Sequence, residues 1–108
     1  IVNTAPEDEK ILGRITFDRS LFDAVIDGIA SNGPLLSQEE ISTLSLGAVF
    51  MPFIHGLRAL TDYLNNNIYY KVSYENQNLD RCLSLFDFTQ KAYDQIDYME
   101  NKVSEKLA

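Results

Sequence analysis

The sequence predicts an all-α fold of four to five helices with one long C-terminal helix. Three observations carry that expectation. Leu21, Phe22, Val25, Ile26 and Ile29 recur at helical spacing, and "SQEE" has the form of a helix start. An apolar seam then runs through Leu79, Cys82, Phe86, Tyr93, Ile96 and Val103.

In chain order, residues 1–16 are acidic, contain Pro6 and Gly13, and hold no sustained period, so they read as a connecting segment. Residues 17–108 read as one helical bundle. Its first helix takes Asp18 as N-cap and stops at Asn32-Gly33-Pro34, where glycine supplies a left-handed end and proline blocks extension. Ser37 and Glu40 have capping-box spacing for a second helix with Ile41 and Leu44 on its apolar side.

A third helix is expected from about Leu46 to Leu64. Its first half is apolar nearly all round and therefore expected to be deeply buried. Pro52 is expected to kink or divide it. Asn65 to Asn67 then break the period, and Ile68 to Tyr74 suits a short extended crossing. The last helix is expected from about Leu79 to Glu105, with Asn78 as its N-cap.

The chain has 108 residues, 9 Lys plus Arg against 16 Asp plus Glu, and a net charge of −7. Without a basic stripe, nucleic acid and anionic membrane are not expected partners. The longest apolar run, Leu46 to Ile54, falls short of the roughly 20 residues that span a bilayer. No signal peptide is visible, and one cysteine fits a reducing compartment, so the expected location is cytoplasmic. A single His55 and a single Cys82 exclude a His/Cys metal cluster.

Phosphate loops and hydrolase or zinc-protease motifs are missing, so no catalytic residue is assigned. His55 reads either as a packed histidine with one hydrogen bond or as a proton shuttle. Cys82 reads as a buried, inert thiol, and Glu7, Asp8 and Glu9 as a solvated acidic loop. There remains "GLRALTDYLNNNIYYK", Gly56 to Lys71. Arg58 and Asp62 are four apart and share a helix face among Phe53, Leu57, Leu60 and Leu64. A structural ion pair is one reading. The other is a ligand site, with a fixed guanidinium and a platform from Tyr69 or Tyr70 suited to a sugar ring.

"VNTAPEDE" (Val2 to Glu9), "GLRALTDYLNNNIYYK" and "NLDRCLSLF" (Asn78 to Phe86), in that order, resemble the C-terminal part of aminoglycoside-phosphotransferase-like kinases. The branch they are most similar to is the bacterial N-acetylhexosamine 1-kinase group. The resemblance implies a helical C-terminal subdomain of a protein-kinase-like fold, truncated from a longer chain; the absent initial methionine fits that expectation. It implies ATP and Mg²⁺ for the intact protein, none in this chain, and transfer of the γ-phosphoryl group to a sugar hydroxyl. By the same resemblance, Arg58 and Tyr69 face the acceptor and Asp62 supports the arginine. The chain alone would lack kinase activity, and a face exposed by truncation would make it a homo-oligomer. The rival expectation is a free-standing acidic helical interaction or dimerisation module without catalysis.

Overall fold

The computed structural model of the chain describes residues 3, 5–32 and 36–107. They form five α-helices and one short 3-10 turn, Leu12–Arg14. Among the described residues the only β-type pairing is an isolated bridge between Asn3 and Phe17.

Helix α1 spans Arg19–Ser31. The Asp18 carboxylate accepts from the Leu21 amide at 3.1 Å and the Ser20 hydroxyl at 2.6 Å, satisfying a donor that the helix start leaves free. The Ser20 and Leu21 hydrogen bonds hold that carboxyl below its ordinary pKa. Phe22 and Ile26 are buried, as their spacing predicts. At the far end, the Asn32 side chain donates to Gly28 O. The expected stop residues Gly33 and Pro34 lie outside the described residues.

Helix α2, Gln38–Ser42, carries the complete capping box predicted for Ser37 and Glu40. Helix α3 comes after Thr43 and spans Leu44–Leu64, starting two residues before the expected boundary. Pro52 does not divide it: the helix runs unbroken through the proline, which has no amide N–H to donate.

The expected burial of the first half of α3 is overturned. Ser45 and Val49 are buried, but Leu46, Phe50 and Met51 are each about half exposed. The reason is the small number of helices. Helix α3 lays one face along α4, Gln77–Asp94, and touches α2 and α5, Ile96–Leu107; among the described residues no helix covers its opposite face.

The predicted C-terminal helical run is present over 77–107, with a one-residue interruption at Gln95 between α4 and α5. It begins slightly earlier than expected. Asn76, not Asn78, holds the cap position, and its side chain makes no cap bond.

The core lies at one end. Phe22 and Ile26 of α1, Val49 of α3, Phe88 and Ala92 of α4 and Met99 and Val103 of α5 meet there, closed by Ile15 from the connecting segment. That segment is fastened as well as packed. Lys91 donates to Leu12 O at 2.7 Å and Ile15 O at 2.6 Å while pairing with Asp87. The other end of the molecule is the long α3–α4 contact, topped by the chain between the two helices.

Gly56 allows that contact. A Cβ at this position would lie 2.6 Å and 2.7 Å from two ring atoms of Phe86 and 3.3 Å from Leu85 Cβ. The Phe86 ring is itself stacked on Phe53, with centroids 5.5 Å apart, which restricts its escape. Gly56→Ala is therefore expected to destabilise by about 1–3 kcal/mol through overpacking. Gly28→Ala, in open space on α1, should stabilise by roughly 0.5–1 kcal/mol. Chemical denaturation of both variants checks the pair, and equal effects would contradict the close approach.

Candidate functional site

The C-terminal end of α3 turns on three asparagines. Asn66 and Asn67 adopt left-handed backbone conformations, φ 66° and 59°. Asparagine enters this region more readily than most residues, because its short amide bonds to nearby backbone. The Asn67 amide closes the turn on Asp62 O at 2.8 Å, and its side chain donates to Glu75 O at 3.1 Å.

Asp62 organises the loop beyond this turn. It is 4% exposed. One carboxylate oxygen accepts from the Tyr69 amide at 2.7 Å. The other accepts from the Tyr70 amide at 3.0 Å and from Asn78 Nδ2 at 2.8 Å. Three donors, two from backbone, compensate a buried charge that would otherwise be costly.

Asn78, completely buried on α4, extends the network. Its amide also donates to Asn67 Oδ1, while its carbonyl oxygen accepts from Arg81 Nη1 at 2.9 Å. A residue read from sequence as a helix cap is thus the bridge between α3, the asparagine turn and α4.

The expected Arg58–Asp62 ion pair does not form. Four residues at 3.6 per turn leave side chains about 40° apart, enough here to separate an exposed arginine from a buried aspartate. Arg58 makes no ion pair with any described residue. It lines an open cleft of about 460 Å³ with Thr61, Asp62, Asn65, Ile68, Tyr69 and Tyr70. Tyr69 is 74% exposed and meets Tyr70 edge to face, with centroids 5.1 Å apart. Arg58 and Tyr69 therefore line one cleft, and Asp62 acts on Tyr69 and Tyr70, not on Arg58, through the backbone of the loop.

A second cleft, about 360 Å³, shares Arg58 and Tyr70 with the first. Its charged lining is Glu7, Arg58, Lys71 and Arg81, with His55 beside them. His55 is exposed on this rim, not packed on a covered face. Sequence reasoning missed Lys71 and Arg81. The available signal was the three-residue step from Asn78 to Arg81, which sets both on one face of α4.

Of the acidic loop, only Glu7 is exposed; Asp8 accepts from Gln77 Nε2 and Glu9 pairs with Arg14. Cys82 is buried, and burial pushes its thiol pKa up, away from the reactive thiolate. Tyr74 is fixed by donating to Asp80 at 2.8 Å, and this bond, with burial, raises its pKa to about 12. Among the described residues no group of three His, Cys, Asp or Glu is placed to hold a metal ion. No family model matches the chain.

Asp62→Ala leaves two backbone amides and the Asn78 amide without their acceptor. The expected loss of stability is about 2–4 kcal/mol. Asn66→Gly should instead raise stability by roughly 1 kcal/mol, since exposed Asn66 makes no side-chain bond and glycine accepts its φ without strain. Urea denaturation measures both; a tolerated Asp62→Ala would show that the network does not hold the turn.

Proposed function

We propose that the chain is the acceptor-binding helical portion of a small-molecule phosphotransferase similar to sugar 1-kinases. The observation that carries this reading is the convergence of Arg58, which makes no ion pair with a described residue, with the Tyr69–Tyr70 edge pair on one cleft. A guanidinium fork and an aromatic face with hydroxyl edges are the groups that bind a polyhydroxylated ring. Asp62 serves as a positioning residue through the Tyr69 and Tyr70 amides.

The contribution of these 108 residues is to hold and orient the acceptor. They offer no phosphate loop and, among those described, no donor set for Mg²⁺. No step of phosphoryl transfer is assigned to them. The reading places the protein in the bacterial cytoplasm, which the buried unpaired thiol of Cys82 suits.

Amide NMR titration with N-acetylglucosamine tests the acceptor site. Saturable shifts are expected at Arg58, Tyr69 and Tyr70, with Arg58→Ala weakening affinity about tenfold. Unchanged affinity in Arg58→Ala, or no saturable shift in this cleft for any simple sugar, contradicts the assignment.

One observation favours a second reading, a self-associating helical module without catalysis. Leu46, Phe50, Phe53, Leu57 and Leu64 are exposed on α3, and Leu60 completes an alternating four-and-three spacing. That is the repeat with which two helices pack side by side, so the occupant proposed for this face is α3 of a second copy. Helix α3 is also long and apolar enough to cross a membrane, by length and composition alone. Against that, it carries Arg58 and Asp62 and lies along α4. Light scattering should report a dimer that Phe50→Gln with Leu57→Gln converts to monomer. A wild-type monomer at every concentration up to the millimolar range contradicts the seam.

A further inference from the structure

We propose that the second cleft is a phosphate site, taking the phosphate group of a small organic phosphate. What points to it is where the cations of an acidic protein have been left without counter-charges. The chain has nine Lys and Arg. Lys10, Arg14, Lys91, Lys102 and Lys106 each pair with a carboxylate. Arg19 donates to Gln95 and lies over the Tyr98 ring. The remaining three, Arg58, Lys71 and Arg81, all line this one cleft, and none pairs with a carboxylate of the described residues.

In a chain of net charge −7, carboxylates are abundant, so three unpaired cations around one concavity are not the result of a shortage. Like charges held close repel one another and cost stability unless an anion offsets them. Glu7 is the one carboxylate on the lining, and it makes no ion pair with any of the three. His55 adds a ring N–H on the same wall.

The site is built and not merely crowded. Arg81 is oriented by the carbonyl of fully buried Asn78, which Asp62 holds in turn. That bond uses one of five guanidinium N–H groups and leaves the others to meet an oxyanion. Lys71 comes directly after Tyr70, whose amide is fixed by the same carboxylate. Two arginine forks and an ammonium match the tetrahedral oxygens of phosphate better than a single planar carboxylate. Ala59, Leu85 and the Tyr70 ring supply an apolar flank for the carbon portion.

The two clefts share Arg58 and Tyr70, but Lys71, Arg81 and Glu7 do not line the first, so variants of these three test the phosphate site separately from the sugar site. The test is amide and arginine side-chain NMR titration of the whole chain with inorganic phosphate and with glycerol phosphate, against sodium chloride at matched ionic strength. Saturable millimolar binding is expected at Arg58, Lys71 and Arg81, with glycerol phosphate at least as tight. Lys71→Gln, an exposed change that leaves the fold intact, should weaken it about tenfold, and Arg81→Gln at least as much. Glu7→Gln should tighten it several-fold by removing the opposing charge. Shifts that match those in chloride, or affinity unchanged in Lys71→Gln and Glu7→Gln, overturn the proposal.

Discussion

A single buried carboxylate decides the shape of the end of this protein that carries both clefts. Asp62 sits where α3 gives way to the asparagine turn, and its two oxygens collect donors from Tyr69, Tyr70 and Asn78. Burying that charge is tolerable only because all three donors converge on it. The donors are separated in sequence, so satisfying Asp62 fixes the path of the loop, the spacing of α3 from α4 and, through Asn78, the direction of Arg81. Both clefts are walls raised on that arrangement. Gly56 works to the same end from within α3, letting Phe86 and Leu85 approach closely enough for Asn78 to reach across.

The distribution of charge gives the two clefts different characters. One presents Arg58 with an aromatic pair, Asp62 and neutral polar groups, the surface proposed for a hydroxylated ring. The other gathers three cations, Arg58, Lys71 and Arg81, that pair with no carboxylate of the described residues. Arg58 and Tyr70 are common to both, so the chemistry of one cleft is not electrically isolated from the other. Away from them, the exposed seam of α3 is a separate apolar surface.

The features legible in the sequence were those set by neighbours along the chain. The Asp18 cap and the Ser37–Glu40 capping box are local hydrogen bonds, and the spacing of Phe22 and Ile26 places them on the buried face of α1. Arg58 and Tyr69 also proved to share a cleft. What the sequence withheld depends on partners far along the chain. An apolar helix reads as buried, yet α3 has too few neighbours to cover Leu46, Phe50 and Leu57. Asn78 looks like a cap until Asp62 is seen beneath it. The four-residue step from Arg58 to Asp62 correctly marks neighbouring positions, but three competing donors claim the aspartate before the arginine can. Lys71 and Arg81 become a pair only once the loop is closed over α4.

Hydrogen exchange at the Tyr69 and Tyr70 amides tests the role of Asp62 most directly. Both residues lie outside any helix, in a segment where only bonds to Asp62 would slow exchange. The account predicts protection comparable to the neighbouring turns of α3 and α4, lost together at both amides in Asp62→Ala. Exchange at the rate of an open loop in the unaltered protein would contradict it.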